Sequence, residues 1–159
     1  MTSRAIKFHY AAFTPQLEIS YRPIIDRRHD RLTGALALPR WSLDGMIVKP
    51  ATLSAAESTE AVLRQIAEDY SGYLWACKNF SIRLELSPQT LLNQHFPEMV
   101  DSLLARYGIP APAITFGLSS SSSRRQPVGA SRFNAQPLSI AALARRYFSI
   151  ANEAQTVPR

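Results

Sequence analysis

Between Ser54 and Leu118 the hydrophobic period switches repeatedly between that of a helix and that of a strand, and this alternation most constrains the fold. Val62, Ile66, Tyr70 and Tyr73 recur at spacings of three and four, with Leu63, Ala67 and Leu74 beside them. That spacing predicts an amphipathic helix from about Ser54 to Leu74, with Glu57, Glu60, Glu68 and Asp69 on its wet side. Ile82, Leu84 and Leu86 then alternate as one face of a short strand. Ser87-Pro88 has the form of a helix cap followed by proline at the first helical position. A second helix is expected from about Pro97 to Tyr107, ended by Gly108, and Ile114 to Leu118 is a further β-like run. Strand, helix, strand, helix, strand in that order points to parallel βα units, as in an α/β barrel or an open α/β sheet.

Ahead of these units, Leu17 to Tyr21 has the period of a half-buried strand, and Pro23 marks an exposed or irregular edge. The charged stretch Asp26 to Arg31 is a turn, and Leu32 to Leu38 is predicted to return as the second strand of a hairpin. Asp44-Gly45 marks another turn. After Leu118 the texture changes. Ser119 to Ser123 is an unbroken serine run, and the polar stretch that follows reads as a linker to about Gln136. From Pro137 to Ala154 one amphipathic helix is expected, with Ile140, Leu143, Ala144, Tyr147, Ile150 and Ala151 on one face. The expected organisation is thus an α/β domain over 1–118, a Ser/Arg-rich linker over 119–136, and a C-terminal helix and tail over 137–159.

Several segments resemble, in order, the EAL domains, bacterial cyclic di-GMP phosphodiesterases. Tyr21-Arg22-Pro23-Ile24-Ile25-Asp26 is similar to the family's YQPIVD, and Gly34 to Trp41 to its GxEALLRW. Gly45 to Pro50 looks like its Gly…Pro turn, Leu84-Glu85-Leu86-Ser87-Pro88 like its VNLSP, and Ile114 to Ser121 like its LxLEITES. The resemblance covers residues 17–121, about the first half of such a domain. It implies an α/β fold, a partial or shortened EAL-type (modified TIM) barrel, here followed by the C-terminal amphipathic helix.

Family members are described as using two divalent metal ions. Hard cations need oxygen ligands, and paired ions generate hydroxide and stabilise phosphoryl charge. Carried over by position, the glutamate that names the family becomes Leu36, and the asparagine of VNLS becomes Glu85. The two glutamates of the last segment become Gly117 and Ser120. Glu85 alone offers an oxygen, so the expectation is no catalytic site, no metal and no cofactor. Arg40 keeps the place of an arginine in the family motif, and Arg22 replaces a glutamine that reaches the nucleotide in relatives. These two are the candidate nucleotide contacts, although retained cyclic di-GMP binding is not expected. Enzymatically silent relatives regulate motility, fimbriae or biofilm genes, so the resemblance implies a regulator working through protein contact.

Half a barrel also leaves strand edges and apolar faces to be covered by the tail helix, a second copy or a partner. Leu143, Tyr147 and Ile150 are the candidate partner-facing residues, and a regulatory protein or self-association is the expected partner class. Two alternatives stand beside this reading: a cyclic di-GMP sensor that does not hydrolyse, and a nucleic-acid-associated regulator. The second rests on charge. The net charge is +6, yet residues 1–123 carry 12 Lys/Arg against 11 Asp/Glu. Six arginines (Arg124, Arg125, Arg132, Arg145, Arg146, Arg159) face Glu153 alone in the tail.

Composition excludes other classes. With hydrophobic residues at 46% and charged residues at 19%, the chain has the balance of one globular domain. No apolar run approaches the roughly 20 residues needed to cross a bilayer. The N-terminal MTSRAIKFHYAAF lacks the apolar core of a secretory signal, so no membrane contact and a cytoplasmic location are expected. Cys77, in an apolar stretch, is expected to pack rather than react. His9, His29 and His95 have no metal-ligand spacing, and neither a nucleophile elbow nor a phosphate-binding loop is present.

Overall fold

The computed structural model describes residues 15–49, 54–119 and 138–155, and side chains as far as Phe148. Strands β1 (Gln16–Asp26) and β2 (Arg31–Leu43) form the expected antiparallel hairpin. Its turn is fixed by Asp26, whose carboxylate accepts from the Arg28 backbone N–H at 2.9 Å. A two-residue strand β3 (Met46–Ile47) folds back onto the end of β2 across Asp44 and Gly45, both at positive φ. Strand β2 pairs in parallel with β4 (Ser81–Leu86), and β4 in parallel with β5 (Ile114–Leu118). The sheet order is β1-β2-β4-β5, with β3 attached to β2.

Both parallel crossovers are helical. Helix α1 (Ala55–Asp69) starts on a reciprocal cap: Ser54 Oγ accepts from the Glu57 N–H, and the Ser54 N–H donates to the Glu57 carboxylate at 2.7 Å. The short α2 (Pro88–Leu91) and α3 (Phe96–Tyr107) form the second crossover, and Gly108 ends α3 at φ 64°. Helix α4 (Ile140–Gln155) is the expected tail helix. Tyr21, Ala35, Ala37, Ile82, Leu84 and Ile114 from one sheet face bury together with Val62, Ile66, Val100, Leu104 and Leu143. Cys77 is buried as expected, and burial pushes its thiol up to about 11.

Three details depart from the sequence reading. The first helix continues past Asp69 as a π-helical turn over Tyr70–Leu74. The wider turn carries Leu74 into the core and swings Tyr73 out to 48% exposure, although both were expected on the apolar side. Pro23 does sit on an edge strand, but its ring is fully buried, and the irregularity is a bulge just after it, between Ile24 and Ile25. Asp69, expected on the wet side, accepts a hydrogen bond from the buried Tyr21 hydroxyl at 2.5 Å and another from Gln65 at 3.1 Å.

The Tyr21–Asp69 bond joins β1 to α1 with a charged acceptor. Tyr21→Phe is therefore expected to lower folding stability by about 1.5–3 kcal/mol in denaturant titration. Burial first, and the Asp69 carboxylate second, push the Tyr21 phenol well above its ordinary value of 10.0. The folded chain thus holds that proton where the unfolded chain releases it. Stability is intact below pH 10 on this account and falls as pH rises beyond it. The Tyr21→Phe protein should show a shallower alkaline loss, and equal slopes for both proteins would refute the linkage.

Helix α4 docks on its own chain. Leu143 is fully buried, Ala144 is buried, and Tyr147 meets Phe80 edge-on at 5.6 Å while its hydroxyl donates to the Lys78 carbonyl. Just before the helix, Leu138 exchanges two backbone hydrogen bonds of 2.7 Å with Tyr21. Leu143 and Tyr147, the candidate partner-facing residues, pack here on the chain's own sheet, one of the surfaces by which a helix of this length can bury its stripe. The side chain of Ile150 lies outside the described residues, as do Ser120 and the expected linker from 120 to 136.

Candidate functional site on the open sheet face

All the helices that pack on the sheet use one face, which leaves the other free of helices among the described residues. Alternation places Glu18, Ser20 and Arg22 of β1 on this open face, with Leu36, Leu38 and Arg40 of β2. Arg83 and Glu85 of β4, with Thr115 and Gly117 of β5, complete it. Register sets the rows. Arg22, Leu36, Arg83 and Thr115 lie side by side across four strands. Glu85 pairs with Gly117 one row further toward the C-terminal ends of the parallel strands, where α/β sheets build their sites.

The sheet therefore brings Leu36, Glu85 and Gly117 to one face. It does not bring Arg40 into the same row: Arg40 is exposed opposite Glu18, beyond the end of the β2–β4 pairing. Arg22 is half-buried next to Leu36, and its Nε is buried without a hydrogen-bond partner.

Sequence reasoning missed Arg83. Its guanidinium lies directly over Gly117: a Cβ added to Gly117 would stand 2.7 Å from one guanidinium nitrogen and 2.9 Å from Nε. The signal was present as a charged residue two positions before Glu85 on an alternating strand. What it covers depends on the β4–β5 register, which no local pattern reveals.

A family profile for the EAL domain matches residues 10–145. The chain belongs to the EAL domain family. No curated protein sequence matches it. Among solved structures, the EAL domain of Mycobacterium smegmatis DcpA is 24% identical, with a TM-score of 0.53 over 74% of this chain and 48% of that one. The PaMucR phosphodiesterase in complex with c-di-GMP is 21% identical, with a TM-score of 0.54 over 70% and 49%. The Xanthomonas citri FimX EAL domain in complex with c-diGMP is 14% identical, with a TM-score of 0.52 over 87% and 51%. At these identities the likeness shows the fold. This EAL chain spans about half the length of those structures.

The metal pair described for EAL domains does not fit the residues present. Leu36 is aliphatic, Gly117 has no side chain, and the space above Gly117 holds a cationic guanidinium. Glu85 is the one carboxylate at the transferred positions that the structure describes. Among the described residues no group of three or more His, Cys, Asp or Glu could hold a metal ion. Nor is any described helix long and apolar enough to cross a membrane.

Proposed function

We propose that this EAL-domain chain does not hydrolyse cyclic di-GMP and acts as a regulator through protein–protein contact, in processes such as motility or biofilm control. The observation that supports the absence of hydrolysis is Arg83 over Gly117. Where the resemblance puts a carboxylate that binds a hard cation, this chain pairs an absent side chain with a fixed positive charge. A divalent ion brought there meets a guanidinium and an aliphatic wall, with Glu85 as the one carboxylate at the transferred positions that the structure describes. Removing ligands while filling their place removes both functions of a two-metal centre, generating the nucleophile and neutralising the phosphoryl charge.

The expected result is direct. The 159-residue chain with Mg²⁺ or Mn²⁺ should produce no linear dinucleotide from cyclic di-GMP above a protein-free control. Leu36→Glu alone should not restore turnover, because Arg83 still covers Gly117. Product that scales with protein concentration, and disappears in Glu85→Gln, would sink the proposal.

A further inference from the structure

We infer that the cleft between the β1–β2 turn and Arg83 binds the phosphate group of a small ligand, through Arg28 and Arg83. The inference goes beyond the contact role proposed above and does not depend on it. The cleft has a volume of about 560 Å³, which suits a ligand of mononucleotide size. Arg27 and Arg28 line it from the turn, Thr33 from β2 and Arg83 from β4. Leu36, Glu85 and Gly117 do not line it, so it is separate from the positions transferred from the family motifs. Register explains why it forms. Ile24 pairs with Gly34 and Ile25 with Leu32, which leaves Thr33 as the extra residue of a bulge. The parallel ladder with β4 begins only at Gly34 and Ser81, so the hairpin turn projects past it.

The charge in the cleft is one-sided. Asp26 is the single carboxylate among the lining residues, and it is already engaged by the Arg28 backbone N–H at 2.9 Å and by His29 Nδ1 at 2.8 Å. The Thr33 hydroxyl donates to the Ile24 carbonyl at 3.2 Å. Neither Arg28 nor Arg83 makes an ion pair among the described residues. One pleat along β1 from Ile24, the Arg22 Nε is buried with no hydrogen-bond partner, so that part of the face lacks an acceptor as well.

The rest of the chain does not supply the anion. Residues 1–14, 50–53, 120–137 and 156–159 contain no aspartate or glutamate, and bring Arg4, Lys7, Arg124, Arg125, Arg132 and Arg159 instead. Glu153 belongs to α4, whose buried residues join the core on the helix-covered side of the sheet. The complementary charge therefore comes from outside the chain. Phosphate is the group that fits two guanidinium forks arriving from different elements, because a tetrahedral anion offers each fork oxygens of its own. A planar carboxylate has one pair to share. Walls of one sign also concentrate small anions in the cleft before contact.

Calorimetry on the 159-residue chain in phosphate-free, low-salt buffer tests the inference, with adenosine monophosphate, inorganic phosphate and acetate as probes. Saturable binding of phosphate in at least the nucleotide is expected, weakened by added KCl, with no response to acetate. Tighter binding of the nucleotide identifies an organic phosphate as the source, and equal binding identifies free phosphate; either supports the site. Arg28→Gln and Arg83→Gln should each weaken binding about tenfold, the loss of one hydrogen bond between charged groups. Both side chains are exposed, so the thermal transition should stay in place. Arg106→Gln, on the exposed side of α3, should bind like the parent. No binding of either phosphate overturns the inference, as does binding that ignores both cleft substitutions or is matched by acetate. A response that Arg106→Gln lowers equally is general attraction to a basic chain, and overturns it too.

Discussion

Leu143→Ala will lower folding stability by about 2–5 kcal/mol, the range for deleting a fully buried leucine from a packed core. Against a total of roughly 5–15 kcal/mol, that shift is large. The cause lies in how α4 is held. Helix α4 packs against β1, β2 and the π-helical turn, and among its described side chains Leu143 is fully buried, supported by Ala144 and the half-buried Ile140 and Tyr147. Without Leu143 the remaining contacts do not offset the entropy of ordering α4. Truncation after Ser123 removes the same contacts and should destabilise at least as much. Arg145→Ala and Arg146→Ala alter exposed side chains, so each should stay within about 0.5 kcal/mol of the parent. Urea titration of the four proteins reads all of this. An unchanged midpoint for Leu143→Ala would mean that α4 does not dock.

Gly34→Ala is expected to cost about 3 kcal/mol, at the upper end for inserting one methyl into a packed site. A Cβ at Gly34 would stand 2.3 Å from the Ser81 backbone carbonyl oxygen, far inside contact distance. The obstacle is backbone, which no rotamer change can move. The clash falls where β2 begins its parallel pairing with β4, from Gly34↔Ser81 to Ala37↔Leu84, the ladder that joins the hairpin to the βα units. Relief means separating those strands and losing buried ladder bonds. Thermal unfolding, with amide exchange at Ile82 and Leu84, should show both lower stability and faster local opening. Wild-type exchange at these amides would contradict the expectation.

Much of the fold was legible because the signals were local. The hairpin, the Ser54 and Ser87 caps, the Gly108 terminus and the five-residue run of β5 follow from period and capping chemistry within a few residues. The π-helical turn escaped notice because Tyr73 and Leu74 both satisfy a helical period after Tyr70; packing chose Leu74. Asp69 was misplaced for a related reason. Its position among charged neighbours reads as solvent-facing, yet the Tyr21 hydroxyl, 48 residues away in sequence, holds it.

The sequence by itself determined the order of elements, the family resemblance and the aliphatic and absent side chains at Leu36 and Gly117, because residue identity and near-neighbour spacing suffice for these. Tertiary structure alone decided that Arg83 lies over Gly117, that α4 is held by its own chain, and that Leu138 bridges to Tyr21 on the outer side of β1. Each of these depends on which strands lie side by side and in what register. A shift of one residue in that register would turn every side chain to the opposite face.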